Sequence, residues 1–140
     1  MPASMTRLFV HYVWGTWQRE PWLTGEVRET AFNIIIAKCQ ALEAQVIALN
    51  GVEDHVHLLV KIPPTIPIAK LIADAKGTSS HAIRQRWPTD AFKWQDGYGA
   101  FTIHETIVPT VRAYIANQQA HHHTFGTCDE RAALTSTNPQ

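Results

Sequence analysis

Gly51-Val52-Glu53-Asp54-His55-Val56-His57-Leu58-Leu59-Val60-Lys61-Ile62 is the stretch from which the rest of this chain can be read. Val56, Leu58, Val60 and Ile62 alternate with His55, His57, Leu59 and Lys61. Side chains two apart in a strand share a face, so the spacing predicts a strand with one wholly apolar side. The other side carries two imidazoles about 7 Å apart along the backbone, at a rise of roughly 3.3 Å per residue. Rings at that spacing can converge on one ion, which makes the stretch half of a metal site. A third protein ligand has to come from elsewhere, with water or substrate oxygens filling the remaining positions. A bare H-x-H pair also occurs as two exposed strand histidines with no such role.

Upstream, residues 6–17 are rich in aromatic and β-branched side chains (Phe9, Val10, Tyr12, Val13, Trp14), which favour a first strand ended by Gly15 and Pro21. Thr24 is a candidate N-cap, Glu26 and Glu29 suit the positive end of a helix, and Val27, Ala31, Ile34, Ile35 and Leu42 follow a helical stripe over residues 25–43. Residues 44–49 then form a short second strand, closed by Asn50-Gly51, with Glu53-Asp54 lengthening the connection beyond a two-residue hairpin.

Downstream, Pro63-Pro64 stops the histidine strand and Pro67 opens a helix, sustained by Ile68, Leu71, Ile72, Ala75, Ser79, Ala82 and Ile83 as far as Trp87-Pro88. Its polar side offers Lys70, Lys76, Ser80, His81 and Arg84. Trp94-Gln95-Asp96-Gly97-Tyr98-Gly99 reads as a turn into a fourth strand, and Pro109 opens a last helix over residues 110–122. On that helix Tyr114 and Gln118 stand at i and i+4 and share a face with His121. The expected fold is α+β, a ferredoxin-like split βαβ: a four-stranded antiparallel sheet with two helices on one face and an added C-terminal helix. The histidine pair is then expected on the open face, accessible to a large substrate.

At 140 residues and 45% hydrophobic content the chain can bury one core, so residues 1–123 are expected to form one domain and residues 124–140, small and polar, a loose tail. Twelve basic and twelve acidic residues cancel, so a polyanionic partner has to be met by a local patch. Residues 61–93 hold six basic residues against two acidic ones. Cys39 and Cys128 lack metal-type spacing, no secretory signal pattern is present, and no run reaches membrane-spanning length; a cytoplasmic protein with no membrane association is expected.

His55-Val56-His57-Leu58-Leu59-Val60, then Trp94 to Gly99, then Tyr114-Ile115-Ala116-Asn117-Gln118 with His121-His122 resemble the single-tyrosine HUH transposases of small bacterial insertion sequences, REP-associated tyrosine transposases among them. The resemblance spans residues 7–123. It implies metal-dependent cleavage and rejoining of single-stranded DNA carrying a hairpin, through a 5′-phosphotyrosine intermediate. It assigns Tyr114 as nucleophile, His55, His57 and Gln118 as metal ligands, and Mg²⁺ or Mn²⁺ as the ion. It also implies a homodimer in which the tyrosine helix of one subunit completes the histidine site of the other, with residues 105–109 as hinge. Lys61, Lys70, Lys76 and Arg84 are the expected DNA contacts.

The residues leave alternatives open. Tyr98 and Tyr12 compete with Tyr114, and Asp54 could replace Gln118 as third ligand. His121, His122 and His123 cannot share an ion well, because consecutive helical side chains point about 100° apart. A non-catalytic or domesticated DNA-binding dimer would keep the same fold. A histidine-triad nucleotidyl hydrolase would also contain H-x-H, yet position 59 is Leu where that pattern needs a third histidine.

Overall fold

The computed structural model describes residues 4–89 and 91–118. Seven main elements follow in the order β1 (Phe9–Gly15), α1 (Gly25–Ala41), β2 (Gln45–Val52), β3 (His55–Lys61), α2 (Ile68–Arg86), β4 (Gly99–Ile103) and α3 (Val108–Ala116). The four strands make one antiparallel sheet in the order β2-β3-β1-β4, the arrangement that a split βαβ requires.

The alternation read from the sequence sets the layers. Val10, Tyr12 and Trp14 of β1, with Val56, Leu58 and Val60 of β3 and Ile62 beyond it, join Ala31, Ile35 and Cys39 of α1 and Leu71, Ile72, Ala75 and Ile83 of α2 in one core. Ala31, Ile35 and Cys39 recur every four residues, so they lie along one side of α1. Full burial of a Leu or Ile side chain contributes about 1.5–3 kcal/mol, so this face holds the sheet and the two helices together. Burial also pushes the Cys39 thiol up to about 11, which leaves it an inert core residue.

Two expectations need correction. Asn50 and Gly51 do not close β2; they pair with His57 and Val56, and the hairpin turns on Glu53-Asp54 between the paired Val52 and His55. A register shift between Val46 and Ala48 absorbs one residue and lets β2 run on. Gly51 is required by a close approach, since a Cβ there would lie 2.2 Å from the His55 carbonyl oxygen. The second correction concerns the far face of the sheet, which is not left open. The last helix begins at Val108, earlier than expected, with Pro109 in its first turn, and packs on β2 and β3 of its own chain. Ile115 is fully buried there. The tail from residue 124 and His121 to His123 lie outside the described residues. No helix among the described residues is long and apolar enough to cross a membrane.

Candidate active site

Pairing partners in an antiparallel sheet share a face, so the register fixes what surrounds the histidines. His57 stands between Asn50 of β2 and Val13 of β1, and His55 between Val52 and Gly15. Both imidazoles lie on the side away from α1 and α2, as expected. They are nevertheless buried, at 0% and 2% exposure, and Tyr114 of α3 packs on His57. Their ring centroids are 5.2 Å apart, and the half-buried Tyr114 ring stands nearly perpendicular to His57, at 76° and 5.8 Å. Gln118, one turn further along, is fully buried.

Tyr12 and Tyr98 are on the other side of the sheet. Tyr12 is sealed in the core, its hydroxyl donating to the Ile68 carbonyl at 2.9 Å, and the Tyr98 ring packs 6.3 Å from it. Burial raises the Tyr12 phenol far above its ordinary value, with smaller contributions from Tyr98 and Cys39. Leu59, on the histidine face, is fully buried apolar surface, which is what a third catalytic histidine would have replaced.

Asp54, and Arg19 and His11, which the sequence did not point to, hold the two histidines in place. The Asp54 carboxylate meets His55 Nδ1 at 2.8 Å, and Arg19 Nη2 reaches the same Asp54 oxygen at 3.2 Å and approaches Nδ1 at 3.3 Å. Burial alone would raise the Asp54 carboxyl, but hydrogen bonds from His55 and Arg19 and the Arg19 charge outweigh it and hold the group at about 2. Asp54 therefore stays ionised and orients His55 from behind. Arg19 is aimed by a 3-10 turn, Trp17–Arg19, in which Gln18 and Arg19 adopt φ of 54° and 58°. Such backbone costs of order 1 kcal/mol or more per non-glycine residue and tends to persist at functional sites.

On the other side, His11 of β1 places Nε2 2.9 Å from His57 Nδ1. Desolvation pulls His11 down to about 4, so the ring is neutral at ordinary pH and its Nε2 can accept the His57 Nδ1 proton. The Trp94-Gln95 pair fixes the end of β1: Trp94 bridges Thr16, the Gln95 amide N–H donates to the Gly15 carbonyl at 2.9 Å, and Gln95 Oε1 accepts from the Gly15 amide. Gly15 is the register partner of His55.

This donor set fits a divalent ion. With both Nδ1 atoms turned to neighbours, each histidine presents Nε2, and these two atoms and Gln118 Oε1 are all buried. Hydrogen-bond partners of this kind, set behind a ligating histidine, fix its tautomer and ring orientation. No trio of His, Cys, Asp or Glu among the described residues is arranged to hold a metal.

The basic residues are spread more widely. Lys70 pairs with Asp74 at 3.0 Å on the exposed side of α2, Arg84 Nη1 donates to the Phe92 carbonyl at 3.2 Å, and Lys61 ends β3. Lys76 donates to the carbonyls of Gln95 and Gly97 at 2.6 and 3.0 Å, which ties the loop before β4 to α2.

The family model "Transposase IS200 like" matches residues 4–118. The ISDra2 transposase TnpA of Deinococcus radiodurans is 29% identical over 120 residues, covering 80% of this chain and 84% of that protein. The transposase for insertion sequence element IS200 of Salmonella typhimurium is 25% identical over 114 residues, covering 77% and 74%. Among solved structures, a Deinococcus radiodurans R1 protein described as a candidate transposase superimposes with a TM-score of 0.69 at 24% identity, over 84% of this chain and 95% of the other. A REP-associated tyrosine transposase bound to a REP hairpin gives 0.68 at 14% identity, over 87% and 72%. These two likenesses are of fold.

Proposed function

The chain belongs to the IS200-like transposases, and on that premise we propose that it cleaves and rejoins single-stranded DNA beside a hairpin, with Tyr114 as nucleophile. The observation that carries the reading is the Tyr114 ring set against His57, with His55 beside it, on a face where Tyr12 and Tyr98 have no part.

The Tyr114 phenol oxygen attacks the scissile phosphorus and the bond from phosphorus to the 3′ oxygen breaks. The 5′ phosphate becomes an ester of Tyr114, and the 3′ oxygen leaves with a proton as a free hydroxyl. The number of phosphoester bonds is unchanged, so a second 3′-OH can reverse the step without ATP. A phenol of pKa near 10 is about one part in a thousand ionised at neutral pH, so the attack needs help with its proton or its charge. Nε2 of His55, Nε2 of His57 and Oε1 of Gln118 would hold Mg²⁺ or Mn²⁺. When bound, such an ion withdraws charge from a non-bridging phosphate oxygen and keeps the scissile group in line. Asp54 and His11 keep the two imidazoles in the tautomer that presents Nε2, and α3 excludes bulk water from them.

The REP-associated neighbour is bound to a DNA hairpin, which supports a hairpin as the partner here. Lys61, Lys70 and Arg84 are the proposed phosphate contacts, together with the third N–H of Lys76. A homodimer of such chains would carry two sites, each completed by its own α3. Incubating the protein with a labelled single-stranded hairpin and Mn²⁺, followed by a denaturing gel, tests the reading. A covalent adduct is expected, and a non-catalytic DNA-binding protein would give none.

A further inference from the structure

Asn50 faces His57 in the register, and its side-chain amide reaches α3: Nδ2 donates to the carbonyl oxygens of Ile115 at 2.9 Å and Ala116 at 3.3 Å. These carbonyls belong to the last two residues of α3. The amide is in turn oriented from behind, because its Oδ1 accepts from Arg28 Nη2 at 2.7 Å. Arg28 Nη1 donates to the Gly51 carbonyl at 2.9 Å, and the guanidinium lies 4.4 Å from the centre of the Phe32 ring. A guanidinium has donors only, so it determines which edge of the Asn50 amide it meets and leaves the NH₂ edge for α3.

We propose that Arg28 and Asn50 act as a latch that positions the nucleophile. α3 is nine residues long, and its apolar anchor, Ile115, supplies an attraction without direction. A short helix held by apolar burial alone can roll or slide on a sheet. Hydrogen bonds to the carbonyls of Ile115 and Ala116 remove that freedom one residue from Tyr114, and their other end is fixed to the strand position opposite His57. The tyrosine and its histidine are thereby referred to a single pairing step of the sheet. The proposal rests on Tyr114 being the nucleophile, and it adds two positioning residues that belong neither to the ligand set nor to the tyrosine.

The test is Asn50→Asp. The carboxylate keeps the size and still takes Arg28, but it brings no donor to α3 and sets negative charge at the negative end of the helix. Hydrogen–deuterium exchange of the α3 segment should quicken while β1 and β3 stay protected. The single-turnover rate of adduct formation at saturating hairpin DNA and Mn²⁺ should fall by about tenfold or more, with hairpin affinity changed less than twofold. Arg28→Met should fall in the same direction and Arg28→Lys should recover part of the loss, because it restores a donor to Asn50. Unchanged α3 exchange in Asn50→Asp overturns the latch, and faster exchange with an unchanged rate overturns its positioning role. If the wild-type protein forms no adduct at all, the reading of Tyr114 has failed instead, and faster α3 exchange would still establish the latch.

Discussion

His11 Nε2 lies 2.9 Å from His57 Nδ1 although the two residues are 46 positions apart in sequence. This contact makes the H-x-H pair a cluster of three imidazoles in which His11 sets the tautomer of one proposed ligand. His11→Ala should weaken Mn²⁺ binding by about tenfold or more, measured by calorimetry, with His57 still in place. Wild-type affinity in this variant would reduce His11 to a packing residue.

Tyr114→Phe should abolish adduct formation and leave hairpin binding nearly intact, since it deletes one oxygen. Tyr98→Phe should still form the adduct. Tyr12→Phe should also form it but lose about 1 kcal/mol of stability, because its hydroxyl holds the Ile68 carbonyl. An adduct that survives in Tyr114→Phe would reassign the nucleophile.

Gly51→Ala tests the register on which the site depends. The new Cβ would meet the His55 carbonyl oxygen at 2.2 Å, and that atom is backbone. A loss of about 2 kcal/mol or more is expected in chemical denaturation, with metal binding impaired in whatever folds. A variant with native stability and metal affinity would mean that the hairpin turn is more compliant than its geometry indicates.

Subunit mixing addresses α3 directly. The helix packs on β2 and β3 of its own chain with Tyr114 against His57, so His57→Ala and Tyr114→Phe proteins mixed together should remain inactive, every site carrying one lesion. Recovery of adduct in the mixture would show that α3 is exchanged between subunits.

Lys76 gives a pH dependence. Burial pulls it down to about 8, against a smaller upward pull from Asp96, while in the unfolded chain it titrates near 10.4. Between those values the unfolded chain holds more protons, so the wild type should gain stability with rising pH relative to Lys76→Met. Below pH 8 both states hold the proton and the difference should be flat. A difference that does not change from pH 8 to 10 would place the ammonium in water rather than on the carbonyls of Gln95 and Gly97.

The sequence by itself determined the layers. The alternation in β3 decides which side chains enter the core, and the four-residue recurrence in α1 and the stripe on α2 decide what they meet, because burial is a property of each segment's own pattern. It also put His55 and His57 on one face, since that placement follows from local geometry at a spacing of two, whereas Gln118, expected on the helix of Tyr114, lies past the end of α3 at Ala116. Tertiary structure decided everything that joins one segment to another. The β1 and β3 register alone brings His11 to His57, and the path of the 3-10 turn alone brings Arg19 to Asp54. The extent of β2 depended on a register shift at Ile47 and on a two-residue turn, so Asn50-Gly51, a turn signal locally, became a paired strand position. The docking of α3 turned on the same point. The apolar Ile115 has no partner within its own helix, and the sheet surface beside Asn50 offers both an apolar seat and a donor to the carbonyls of Ile115 and Ala116.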